Sequence, residues 1–263
     1  MTIFRILCLC LLFLITGCAV NTQMVELPGH MEAVVRDSFR ETATSQKACS
    51  PWVDADVNVS LEATFFSGAF DGYLQAMTPA YLKFVGTNPF GQPLLALVSD
   101  GKRFQYLSFS EQKFYEGDVA AKAFSRFTPP GFDPVDGFYW FIGRLGPGEV
   151  NVVDAGGDVL DRGRWVELLD KQKGRRSRIL FDPERKIILD HVLLDSIGGI
   201  AMQVEYRDHQ PGKCGLPGTI TITGEEQRGR LVLRLSDWKG ETPFAETDFK
   251  LEIPAGFRRV AIQ

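Results

Sequence analysis

Five cysteines, three histidines and two close pairs of acids are what this 263-residue chain offers for covalent, metal or proton chemistry. His30, His191 and His209 stand in different neighbourhoods, and none has a second histidine or a cysteine at a metal-ligand spacing. No serine sits in a GxSxG turn, and the sequence contains neither a P-loop nor a GxGxxG string after a strand pattern. Asp182 with Glu184, and Glu225 with Glu226, could do acid–base work. Both pairs fall in turn-like strings, where solvated charges are far commoner. The expectation is a non-enzymatic protein with no catalytic residue, no metal and no cofactor.

The cysteines suggest a different chemistry. The chain opens MTIFRILCLCLLFLITGCAV, with Arg5 ahead of an apolar run from Ile6 to Ile15 and small residues before Cys18. Such a run is a secretory signal, too short for a spanning helix of about 20 apolar residues. The string Ile15-Thr16-Gly17-Cys18 resembles the bacterial lipobox. That likeness implies a signal peptide over residues 1–17, lipid (palmitate among its chains) on Cys18, and a lipid-anchored tether over 18–28. Ala19 and Val20 follow where an aspartate would imply retention in the inner membrane, so the expected address is the outer membrane, facing the periplasm. Cys8 and Cys10 leave with the signal, and Cys49 and Cys214 remain. An oxidising periplasm lets them pair, but only if their backbones approach closely enough.

Without residues 1–17 the chain keeps 28 basic and 33 acidic residues, a charge of −5. That gives no basic footprint for nucleic acid. The basic strings RGR (162–164) and KQKGRRSR (171–178) read as solvated hairpin charges or as a contact with anionic lipid.

The elements that must position these residues follow from periodicity. HMEAVVRDSFRETATSQ (30–46) places Met31, Val34, Val35 and Phe39 at helical spacing. Beyond Pro51 the period becomes two: Val57, Val59, Leu61, Ala63 and Phe65 alternate with polar residues, as do residues 200–206, 220–222 and 230–235. Candidate strands recur roughly every ten residues between turn signals such as SDGK, DAGGD, DPERK and SIGG. This predicts a mainly β chain with a few helices (α+β), in one domain over 29–263. Ten or eleven antiparallel strands would curl into a half-barrel or unclosed barrel with an apolar concave face. Helices are predicted at 118–127 and over DGFYWFIGRLG, with Asp136 as its cap, Gly146-Pro147 as its stop, and Phe138, Phe141, Ile142 and Leu145 on one face. The second would lid the curved sheet.

One turn stands apart from this pattern. In GTNPFGQPLLAL (86–97), Asn88, Pro89 and Gly91 suit positions one, two and four of a type I turn, which leaves Phe90 at the apex. Apolar side chains are unusual there.

TNPFG (87–91) is similar to the TNPLG turn of the outer-membrane lipoprotein receptor family LolB, within the LolA/LolB lipoprotein-localisation superfamily. FYWFIGRLGPG (138–148) and LPGTITITGEEQRGRLVLRLSDW (216–238) resemble that family's helix segment and last hairpin, while FKLEIPAGFRRV (249–260) resembles the carboxyl end of LolA. The resemblance implies a curved antiparallel sheet partly closed by helices. It also implies a lipoprotein cargo received from a LolA-like periplasmic carrier, and a protruding turn residue, here Phe90, that helps insert the cargo into the membrane. Candidate lining of an acyl-chain cavity is Tyr81, Leu95, Leu97, Phe104, Phe138, Phe141 and Ile142; a monomer is expected. The alternatives are a divergent paralogue carrying another lipid, and a structural or partner-binding lipoprotein whose barrel is filled by its own side chains.

Overall fold

Two-residue periodicity from Trp52 onward yields one continuous sheet. The computed structural model describes residues 22–63, 66–122, 124, 134–146, 151–171, 174–212, 214–224, 229–239 and 243–262. Its strands are β1 (Met24–Val25), β2 (Trp52–Ala63), β3 (Phe66–Met77), β4 (Tyr81–Thr87), β5 (Pro93–Ser99), β6 (Arg103–Ser108), β7 (Lys113–Asp118) and β8 (Val152–Asp158). They continue as β9 (Arg164–Asp170), β10 (Arg175–Asp182), β11 (Ile187–Leu194), β12 (Ile200–Arg207), β13 (Thr219–Gly224), β14 (Gly229–Lys239) and β15 (Arg258–Ile262). Across the sheet the order is β1-β8-β9-β10-β11-β12-β13-β14-β2-β3-β4-β5-β6-β7-β15, unclosed at its two ends. Neighbours are antiparallel except β15, which lies parallel to β7. The fifteen strands exceed the ten or eleven expected, partly because the two-residue β1 and the five-residue edge strand β15 are too short to show a period.

So many twisted strands curl, giving the sheet an inner and an outer face. Val57 and Val59 on β2, Leu233 and Leu235 on β14, Ile220 and Ile222 on β13, and Val166 and Ile179 further round belong to one buried cluster on the inner face. Two helices close over it. In α1 (Gly29–Lys47), Val35 and Phe39 join that cluster, and the Phe39 ring meets Phe181 edge-on at 5.1 Å. In α2 (Pro134–Phe141), Phe138, Tyr139 and Trp140 do the same.

Both helices differ from expectation in detail. The buried face of α1 runs through Val35, Phe39, Thr42, Ala43 and Gln46, while Met31 and Val34 are exposed. Polar contacts outweigh apolar count here: Arg36 reaches back to Glu32 and donates to the Val152 carbonyl (2.6 Å), and Gln46 Oε1 accepts from Leu145 N. Those bonds fix which face looks inward. α2 starts at Pro134 rather than after Asp136 and ends at Phe141, where Arg144 N turns back to the Tyr139 carbonyl. Where a helix is predicted over 118–127, Asp118 still pairs with Arg103 as the last residue of β7, and beyond it tight turns follow, with Ala121 N donating to the Asp118 carbonyl and Phe124 N to the Ala121 carbonyl. Residues 125–127 lie outside the described residues. Among the described residues, no helix is long and apolar enough to cross a membrane.

Antiparallel alternation sorts the hairpins onto two rims. Those joining β4 to β5, β6 to β7, β9 to β10 and β11 to β12 turn at a first rim. Those joining β3 to β4, β5 to β6, β8 to β9 and β10 to β11 turn at a second. Met24 pairs with Asp158, so the chain enters β1 from the second rim.

Candidate functional site

The first rim carries the β4–β5 turn. Asn88 takes its first position, Pro89 the second, Phe90 the third and Gly91 the fourth, with Gly91 N donating to the Asn88 carbonyl (2.9 Å). Asn88 Oδ1 accepts from Phe90 N (2.9 Å) and Gln92 N (3.0 Å), while Asn88 Nδ2 donates to Gln92 Oε1 (2.9 Å). Gly91 sits at φ +75°, a conformation that L side chains rarely adopt. The loop is therefore held by its own hydrogen bonds. It presents Phe90 at 87% exposure, with no element covering it among the described residues.

From this turn an apolar strip runs down the inner face. Register places Leu95 opposite Gly86, Leu97 opposite Phe84, and Tyr106 beside Leu97, all on the side that carries the main core. Phe70 packs against Phe84 at 6.1 Å. Leu95, Leu97, Phe84, Phe70 and Tyr106 are half-buried, so the strip is apolar and incompletely covered. A Cβ on Gly86 would strike the Phe70 ring at 2.7 Å, and one on Gly72 would lie 2.1 Å from the Val85 carbonyl. Only glycine accepts that approach of two strands.

The remaining candidate lining residues divide. Phe104 is on the same face but packed against Phe124 at 4.7 Å. Phe138 and Ile142 are 1% and 2% exposed within the main core, whereas Phe141 is half-buried at its edge. Tyr81 does not share the inner face: it is one residue out of register with Leu82 and Phe84, and its ring stacks on Phe249 at 5.3 Å on the outer face. The run AYLKF carries apolar residues at both parities, so period two alone could not assign a face. Sequence reasoning also missed Phe70 and Phe84 as partners of this strip, although their spacing from Leu74 and Leu82 carried the signal.

Cys18, the leader and Glu225-Glu226 lie outside the described residues. Cys49 and Cys214 form a disulfide joining the end of α1 to the β12–β13 connection. Asp182 and Glu184 form a turn in which the Asp182 carboxylate accepts from Glu184 N and Arg185 N. The basic strings separate: Arg162 and Arg164 lie at the second rim, each paired with aspartates, while Lys171, Arg175 and Arg176 lie at the first.

Buried charges serve the outer face. At Asp158 burial works against the charge, but hydrogen bonds from Arg162 and the Trp165 indole outweigh it and hold the carboxyl down to about 2. Burial lifts Asp190 to about 6, with Glu205 adding to the rise and the Gln203 hydrogen bond and Arg162 opposing it. His191 projects to the inner face against Trp140, and burial pushes it down to about 4, helped by Arg175. His209 hydrogen-bonds the Ile188 carbonyl. Among the described residues no three histidines, cysteines or acids come together as a metal site. An open groove on the outer face is lined by Asp56, Asn58, Asp71, Tyr73 and Arg234 together with Val57 and Leu235.

No protein-family model matches the chain, and no curated protein matches it in sequence. Its fold is found in solved structures. A LolA superfamily protein from Nitrosomonas europaea is similar with a TM-score of 0.58 and 12% identity, over 82% of this chain and 97% of that one. A domain assigned to outer-membrane lipoprotein sorting in Vibrio parahaemolyticus gives 0.56 and 12%, over 84% and 97%. A DUF1329 family protein from Desulfovibrio piger gives 0.51 and 10%, over 82% and 97%. At these identities the likeness establishes a shared fold.

Proposed function

We propose that the protein is a non-enzymatic, lipid-anchored lipoprotein of the outer membrane. It takes acyl chains of a lipoprotein cargo from a LolA-like periplasmic carrier and helps place that cargo in the bilayer. The observation that carries this reading is Phe90, held at 87% exposure on a turn closed by its own hydrogen bonds at the head of an apolar inner strip. In water that exposure stabilises nothing; in a bilayer interface, burying the ring gains about 1.5–3 kcal/mol. The lipobox and the fold shared with a lipoprotein-sorting domain support it. No nucleotide motif is present in the sequence, so transfer runs down a gradient of affinity, each sheltered methylene contributing about 0.8 kcal/mol.

A second reading is favoured by the inner face itself. Phe39, Phe138, Trp140 and Ile142 already fill the part under the helices, as in a barrel packed by its own side chains whose Phe90 docks a protein partner.

A transfer assay separates the two. Acyl-lipoprotein loaded on the carrier is mixed with the chain from Ala19 onward, which holds every described element. Wild type should take cargo and deliver it to liposomes, while Phe90→Glu should take cargo and fail to deliver it. If wild type takes no cargo, the lipid-transfer reading falls and the partner-binding one stands.

A further inference from the structure

The Phe90 turn has a copy. Between β11 and β12, Asp195 N donates to the Gly199 carbonyl and Gly198 N to the Asp195 carbonyl, while Asp195 Oδ1 accepts from Ile197 N (2.9 Å) and Gly199 N (2.7 Å). Position for position, these are the bonds that Asn88, Phe90, Gly91 and Gln92 make. Ile197 holds the place of Phe90 and is 91% exposed, and Leu94 and Ile200, at the strand ends beside the two turns, are exposed as well. Strand alternation puts both turns on the first rim.

We infer that Ile197 is a second lipid-contacting tip, so that this rim meets a bilayer at two points. The inference rests on the lipid-contact reading of Phe90. Six strand spacings separate the two hairpins in the sheet order, about 29 Å along the sheet. A folded partner would need a separate pocket for each isolated side chain at that span. A bilayer interface is fluid in its plane and accepts each tip independently. Basic side chains border Ile197, with exposed Lys171 and Arg176 on the adjoining hairpin and exposed Arg230 on the other side; Arg176 is paired with Glu167 and Arg230 with Glu62, and the Asp195 carboxylate is taken up by the turn's own N–H groups.

A third loop of this kind supplies the internal control. Asp158 Oδ2 accepts from Leu160 N and Arg162 N, and Leu160 is 60% exposed, but this loop turns at the second rim.

The test uses the chain from Ala19 onward, without lipid. Its two cysteines are disulfide-bonded, so a nitrobenzoxadiazole label reports only an introduced thiol. Phe90→Cys, Ile197→Cys and Leu160→Cys proteins are each mixed with phosphatidylethanolamine–phosphatidylglycerol vesicles. Labels at 90 and 197 should brighten several-fold and shift to the blue, while the label at 160 stays unchanged. In the unlabelled protein, Ile197→Asp should weaken vesicle binding about tenfold. A response at 90 alone overturns the second tip and leaves the Phe90 reading standing. A response at neither position, or at 197 alone, removes the Phe90 reading and the two-point contact together. A response at 160 in place of 197 assigns contact to the other rim. A label at 197 that answers to the carrier protein but not to vesicles makes Ile197 a protein-docking residue. Each of the last two overturns the inference.

Discussion

Asp190 and His191 are neighbours on β11 whose side chains enter opposite faces of the sheet, and their protonation moves stability in opposite directions. His191, half-buried against Trp140, is neutral in the fold down to about pH 4 but protonates near 6.5 when unfolded. As pH falls through that window the unfolded chain takes up a proton that the fold refuses, and stability is lost. Asp190 titrates near 6 in the fold and near 4 unfolded, so over the same window the fold takes up the proton and stability is gained. Each effect amounts to about 3 kcal/mol. Urea denaturation of wild type should therefore change little between pH 6.5 and 4 on account of this pair. Asp190→Asn should lose about 3 kcal/mol across the window, and His191→Gln should gain a similar amount. Matching profiles for the two variants would show that neither group titrates as its burial implies. At Gly91 the left-handed backbone predicts a loss of about 1–2 kcal/mol for Gly91→Val in the same measurement.

The two helices act as cover for the inner face, but not equally. Phe138 in α2 is core, so Phe138→Ala should cost about 3–5 kcal/mol by leaving a cavity. Phe141 stands half-buried at the edge of the same helix, where acyl chains entering under the lid would meet it. Phe141→Arg should abolish binding of an apolar dye or acyl peptide with only a small drop in the unfolding midpoint. Unchanged binding would remove α2 from the path of the ligand. α1 is held by Arg36 on the Val152 carbonyl, while Gln46 on Leu145 N and Arg144 on the Ser50 carbonyl tie the end of α1 to the segment that follows α2.

Across the whole molecule, two links constrain how the sheet can meet a membrane. The disulfide spans 165 residues and ties α1 to the β12–β13 connection. In a chain-entropy account, replacing both cysteines with alanine should cost on the order of 3–5 kcal/mol, readable as a fall in Tm. The chain enters β1 at the second rim, opposite Phe90 and Ile197. From Cys18 to Met24 an extended chain covers about 20 Å, roughly the height of β8. In the proposed lipid-anchored form, the lipid on Cys18 and the two apolar tips can reach one leaflet only if residues 18–23 run extended beside the sheet. Deleting residues 19–22 should therefore block cargo delivery by the lipidated protein while leaving vesicle binding of the unlipidated chain unchanged. Delivery surviving that deletion would mean that anchor and tips need not share a leaflet.

Local chemistry made part of this protein legible in its sequence. The strand period from residue 52, the helix after residue 29 and the turn that lifts Phe90 depend on side-chain alternation and on what Asn, Pro and Gly do to the backbone within a few residues. What depends on distant chain segments was decided by tertiary structure alone. Tyr81 went to the outer face because pairing of Leu82 with Ala76 and of Phe84 with Leu74 and Leu97 fixed those two residues inward. The basic strings at 162–164 and 171–178 look like one cluster, but a strand of seven residues carries them to opposite rims. Cys49 met Cys214 only when α1 and the β12–β13 connection had packed on the same core. Ile197 read as an unremarkable turn residue in SIGG until sheet topology set it on the rim of Phe90. Sequence determines periods and turns because these are local. Faces, rims and pairings are set by long-range register, and a shift of one residue inverts them.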